Sequence, residues 1–150
     1  MADTISFERS HDIVIDAPPR AVLDYVSNPN SWPEWLAASH HMDAPDRPLL
    51  TGDTFREQWR TRKAPVTLDW VVTASEPGKL WVAETNTDFI GRIVARYTCE
   101  PVAGGTRYTR TIRNPARPSM PTPDMLARMD EEAAIGLANI KANVEKRTRR

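Results

Sequence analysis

The stretch HDIVIDAPPRAVLDYVSNPNSWPEWL, residues 11–36, changes its apolar period twice. Ile13 and Ile15 alternate with Val14 and Asp16 as on a strand. Ala17-Pro18-Pro19 then stops the pairing, because proline has no N–H to donate. A short helix is predicted next: proline suits a first helical turn, and Ala21, Val22, Tyr25 and Val26 recur at spacings of three and four. Asn28-Pro29-Asn30 ends it, and Ser31 is placed to cap a second short helix with Trp32 and Trp35 three apart and Leu36 beside them. Two of the chain's five tryptophans thus sit in one segment. They either fill core or wall a cavity.

Working outward, the first strand reaches back through ISFERS, and from about residue 37 to 113 the chain alternates apolar and polar residues, the mark of a half-buried antiparallel sheet. The predicted strands are AASHHMDA, DTFREQWRTRK, PVTLDWVVTASE, KLWVAETN, RIVARYTCEP and TRYTRTIRN, which with the first make about seven. Thr51-Gly52-Asp53, Glu76-Pro77-Gly78-Lys79 and Ala103-Gly104-Gly105 read as hairpin turns. The proline-rich NPARPSMPTP reads as a loop leading to Thr122 and Pro123, a cap and first-turn pair. Met125, Met129, Ala133, Leu137, Ile140 and Val144 then form one stripe on a final helix of about 25 residues.

The chain has 150 residues, which suits one domain spanning residues 1–150. Twenty basic side chains against twenty acidic ones argue against a nucleic-acid or anionic-membrane partner recruited by bulk charge. A lone Cys99 cannot form an internal disulfide, and no His, Cys and acidic cluster has metal-ligand spacing, so neither a metal nor another cofactor is called for. The N-terminus is too polar for a signal peptide, and no apolar run approaches the roughly 18 residues of a membrane span. A cytoplasmic protein, monomer or homodimer, with no stable membrane insertion is expected.

The order is strand, two short helices, six strands and a long amphipathic helix. Through HDIVIDAPPRAVLDYVSNPNSWPEWL and YTCEPVAGGTRYTR the chain resembles the START-like or SRPBCC superfamily, and within it the polyketide cyclase/dehydrase and lipid transport proteins. The resemblance covers nearly the whole chain. It implies an α+β helix-grip fold, a curved seven-stranded antiparallel sheet wrapped around the long C-terminal helix, with an elongated apolar cavity for a hydrophobic ligand.

Strand parity gives candidate cavity residues from the sequence itself. Phe55, Glu57 and Trp59 share one face; Val66, Leu68, Trp70 and Val72 another; Ile93, Ala95, Tyr97 and Cys99 a third; and Tyr108, Arg110 and Ile112 a fourth. KLWVAETN is ambiguous, with Leu80, Val82 and Glu84 opposed to Trp81 and Ala83. Trp35 joins the candidates from the second helix, and Met125, Met129 and Ala133 from the last. Glu57 and Arg110 stand out because an unpaired buried charge costs several kcal/mol. They either reach water or pair, with each other or with Glu84, leaving a polar foothold for a ligand oxygen to which Tyr97 and Tyr108 could add donors. Gly136 inside the last helix points to a close neighbour or to space for ligand. His40 and His41 are adjacent and point to opposite faces, so at most one, His40, could act inward.

Two function classes follow. One is a protein that carries or sequesters a hydrophobic small molecule such as a lipid or polyketide. The alternative, similar to polyketide aromatase/cyclases, is a cofactor-independent enzyme in which Arg110, Glu57 or a tyrosine such as Tyr108 assists enolisation and loss of water.

Overall fold

The computed structural model describes residues 4–36, 39–60 and 65–148; the side chains of Ser39, His40 and Arg60 lie outside this set, and with them the reading of His40 as an inward base. β1 (Ile5–Ile15) leads into α1 (Pro19–Val26) and a 3-10 helix (Pro29–Glu34). Six strands follow: β2 (Ser39–Asp43), β3 (Thr54–Arg60), β4 (Pro65–Glu76), β5 (Leu80–Thr87), β6 (Gly91–Val102) and β7 (Gly105–Arg117). The chain closes with α2 (Pro123–Thr148). The seven strands pair antiparallel in the order β1-β7-β6-β5-β4-β3-β2. The first two strands in sequence therefore lie on opposite edges, bridged by the two short helices, and α2 packs against β1 and α1. This is a helix-grip fold. Among the described residues, no helix is long and apolar enough to cross a membrane.

Two local readings are corrected and one ambiguity is resolved. The second helix begins two residues earlier than Ser31: Asn28 caps it by accepting the Asn30 N–H at 3.1 Å, and Pro29 takes the first helical position. Ser31 lies buried inside the turn and accepts the Trp35 indole N–H at 3.2 Å. β7 continues through Pro115 to Arg117, where a loop was expected. Its register against β1 slips between Phe7↔Asn114 and Ile5↔Arg117, so β7 holds one extra residue there, and a bulge tolerates a proline that cannot donate to the ladder. The ambiguity of β5 resolves toward Trp81, Ala83 and Thr85, all buried.

Trp32 is the hub of the core. Its ring meets Phe55, Trp70, Trp81 and Tyr97 edge-on at centroid distances of 5.3, 5.7, 6.0 and 6.3 Å, the geometry that aromatic quadrupoles favour. Its indole N–H donates to the Val26 carbonyl at 3.0 Å, so the hub is also satisfied as a polar group.

α2 starts where Thr122 Oγ1 accepts the Met125 N–H at 3.2 Å. Its stripe is buried at Gly136, Leu137, Ile140 and Val144, yet Met125 is 42% exposed and Met129 and Ala133 are only half-buried. The N-terminal half of the helix thus stands over space while the C-terminal half closes on the core. Gly136 marks the transition: a Cβ there would lie 3.0 Å from the Trp35 carbonyl oxygen, so the close-neighbour reading holds. Both halves are pinned. Asp130 accepts from Arg9 Nε at 2.9 Å and bonds His11 Nε2 at 2.8 Å, and Arg147 donates to Glu34 at 3.0 Å.

Candidate functional site

The space beneath the first half of α2 is a cavity of about 460 Å³. The sheet supplies Glu57 and Trp59 from β3, Leu68 and Trp70 from β4, Tyr97 from β6 and Arg110 from β7. Trp35 closes one end, and α2 supplies Met125, Met129 and Ala133. Ten of the twelve candidate cavity residues thus line one space. Phe55 and Tyr108 do not. Phe55 stacks parallel to Trp70 at 5.9 Å beneath Trp32, and Tyr108, fully buried, stands edge-on behind Tyr97 at 5.9 Å. Both point inward as parity requires, but the aromatic cluster covers them.

The polar side chains are arranged differently from any pairing expected. Glu57, 5% exposed, accepts the Trp70 indole N–H at 3.1 Å, while Glu84 pairs with Arg92. Arg110 forms no ion pair with a carboxylate among the described residues. Its guanidinium lies 5.6 Å from the Trp35 ring centroid, a cation–π contact, and its Nε is sealed from solvent without a hydrogen-bond partner. The Tyr97 and Tyr108 hydroxyls are likewise buried without a partner. Burial is the main cause that raises the Tyr97 pKa; Arg110 opposes it, by its charge and by an N–H directed at the phenol oxygen without reaching full hydrogen-bond geometry, and Glu57 adds to it. Tyr97 therefore sits within the electrostatic reach of both charged groups. Burial raises Tyr108 well above the ordinary tyrosine range. Both tyrosines stay neutral at physiological pH and, with Arg110, offer hydrogen-bond donors to the interior.

Several lining residues escaped the parity reading. Arg9 and His11 share the face of Ile13 and Ile15 on β1, so alternation did carry that signal. Arg117 lay in an expected loop, and the bulge before it breaks the phase that would have placed it inward. Phe89 and Ile90 come from the β5–β6 turn, where periodicity carries no information. Phe89 is 43% exposed with its ring centroid 5.7 Å from that of Trp59, so the cavity lining reaches the surface through an apolar side chain here, as it does at Met125.

The fold, with a space between sheet and long helix, is that of a helix-grip protein of the SRPBCC superfamily. Residues 4–145 match the sequence model of the family described as polyketide cyclase / dehydrase and lipid transport, and the chain belongs to that family. A search of curated proteins finds no sequence match. Among solved structures, the chain is similar to the di-domain ARO/CYC StfQ from the steffimycin biosynthetic pathway, at 13% identity and a TM-score of 0.75 over 95% of this chain and 52% of that one. It is similar to the Zhui aromatase/cyclase from a Streptomyces species, at 13% identity and a TM-score of 0.73 over 96% of each chain. A Staphylococcus aureus protein of unknown function is matched over 100% of both chains at 10% identity, with a TM-score of 0.74.

Proposed function

We propose that the protein binds a hydrophobic small molecule, of lipid or polyketide type, in the cavity beneath α2, with an oxygen acceptor of the ligand set against Arg110 and Tyr97. The observation that carries this reading is the pair of unsatisfied donors at the wall of an otherwise largely apolar space: Arg110 Nε and the Tyr97 hydroxyl. A buried polar group without a partner costs about 1–3 kcal/mol. A ligand carbonyl, hydroxyl or carboxylate recovers that free energy, and the apolar walls supply affinity by excluding water from the rest of the molecule. The cavity volume falls within the ~300–1,000 Å³ of ordinary small-molecule sites.

The family and its aromatase/cyclase neighbours favour a second reading, catalysis on a poly-ketone. Donors at Arg110 and Tyr97 would stabilise negative charge growing on a ketone oxygen during enolisation, and Glu57 stands near enough to Tyr97 to act on the same substrate. The binding step is common to both readings.

The test is native mass spectrometry of protein purified from its own host, followed by organic extraction and identification of what co-purifies. A stoichiometric apolar compound carrying at least one oxygen, lost or reduced in Arg110→Met, is expected. An empty protein that also ignores a panel of lipids and polyketides would sink the proposal. Incubation of the identified compound with fresh protein then separates carriage, which returns it unchanged, from cyclisation, which releases water.

A further inference from the structure

The inward face of β7 carries two arginines that line the cavity, Arg110 and Arg117, set well apart along the strand. Arg110 pairs across the sheet with His11, and Arg117 with Ile5. Those partners are six positions apart on β1, which is about 20 Å of strand at ~3.3 Å per residue. The wall between the arginines is built from Ile112, Ile93, Ile90 and Met129, and its two polar members are already engaged: Asn114 donates to the Arg92 carbonyl at 3.2 Å and Arg9 is paired with Asp130.

Arg117 is the more demanding of the two. It is 8% exposed, its Nε is sealed without a hydrogen-bond partner, and it makes no ion pair among the described residues. Its guanidinium lies 5.7 Å from the Phe7 ring centroid, which positions a cation without neutralising it. Burial lowers its pKa, so the folded chain holds this charge against a solvation cost. Four arginines line the cavity, Arg9, Arg110, Arg117 and Arg128, against Glu57 and Glu132. Even with Asp130, bound to Arg9, on the acidic side, the cationic groups exceed the anionic ones by one.

We infer that the ligand is bipolar: an elongated apolar chain with an oxygen acceptor at the Arg110–Tyr97 end and a carboxylate at Arg117. A carboxylate supplies both the missing charge and the paired acceptors that the guanidinium fork meets. This inference rests on the reading that the cavity binds a hydrophobic small molecule, and adds a second pole to it.

The experiment is calorimetric titration of delipidated protein with saturated α,ω-dicarboxylic acids, from decanedioic to hexadecanedioic acid. Each is compared with the monocarboxylic acid and the primary alkanol of the same carbon count. A diacid of matching length is expected to bind at least about tenfold more tightly than its monoacid. Arg117→Met should reduce the diacid to the level of the monoacid, which can turn round and use Arg110, and Arg117→Lys should retain part of the preference. Equal binding of diacid and monoacid at every length, or a diacid indifferent to Arg117→Met, overturns the inference while leaving apolar binding intact. Failure of every probe, alkanols included, overturns instead the reading beneath it. The melting temperature of ligand-free Arg117→Met reports separately. It should rise, because an unpaired buried charge is gone; a fall would mean that Arg117 serves the fold and would also overturn the inference.

Discussion

A hydroxyl kept from water without a partner costs stability, and Tyr97 and Tyr108 each hold one, on rings whose centroids are 5.9 Å apart. They differ in position: Tyr97 lines the cavity and Tyr108 stands behind it. Tyr97→Phe and Tyr108→Phe should therefore melt at or above the temperature of the parent when ligand-free, since removing an unsatisfied buried group is neutral or stabilising by up to about 1 kcal/mol. Only Tyr97→Phe should weaken an oxygen-bearing ligand, by about tenfold, read from a binding titration; equal losses in both variants would remove Tyr97 from the foothold. Cys99 gives a second check at this scale. Burial pushes its thiol up to about 12, so iodoacetamide at mildly alkaline pH should label it only after denaturant is added. Parity identified these residues as inward, but it is a one-dimensional signal and carries no depth. It could not say that Trp35 would stack on Arg110 while Phe55 and Tyr108 vanish beneath other rings. Nor could it separate Trp32, the hub of the core and also a wall of the cavity, from Trp35 three positions on.

At the scale of elements, the first half of α2 is held to β1 through the Asp130 carboxylate. Further along, Lys141 donates to the Val14 carbonyl at 3.1 Å and Glu145 accepts the Asp16 N–H at 2.9 Å. Arg9 and His11 hold Asp130 well below the usual carboxylate range, the Arg9 hydrogen bond being the largest cause. A group whose folded pKa is depressed stabilises the fold above its unfolded pKa, and that contribution is lost as pH falls through the folded value. The loss therefore begins beneath the ordinary aspartate pKa of about 3.9 and extends further into acid. Asp130→Asn should lower the melting temperature at neutral pH, with the gap to the parent narrowing as acid is added; a gap constant with pH would show that charge is not what Asp130 contributes. Gly136 sets how closely the same helix approaches the 3-10 turn. Gly136→Val should cost about 1–3 kcal/mol in denaturant unfolding, since its Cβ meets a backbone carbonyl that cannot swing aside. Element types were legible because α2 and the strands keep one period over many residues. The errors fell where a local device overrides period: the Asn28 cap that moved a helix start, and the bulge at Pro115 that turned an expected loop into strand and carried Arg117 inward.

Across the whole molecule, the order of strands explains why a cavity can persist at all. With β1 and β2 on opposite edges, the two short helices close one end of the sheet, and Trp32 fixes them there through contacts to β3, β4, β5 and β6. α2 is pinned near both ends, at Asp130 and at Arg147, so it cannot simply collapse onto the sheet to fill the space under Met125 and Met129. A ligand that fills that space binds the folded chain and not the unfolded one. At a free concentration a hundred times its Kd it should add about 2.7 kcal/mol of stability. For a chain of this length each kcal/mol is worth about 2–4 °C, so the melting temperature should rise by about 5–11 °C. The comparison that gives this meaning is Trp32→Ala, which should lose about 3–5 kcal/mol through the core, yet still show a ligand-dependent rise if the space under α2 survives. A ligand that raised the melting temperature of the parent but left Arg110→Met and Met129→Trp equally responsive would be binding elsewhere on the molecule. Loss of the response in both variants, one emptied of its charge and the other filled by a larger ring, would locate the ligand between the sheet and the first half of α2.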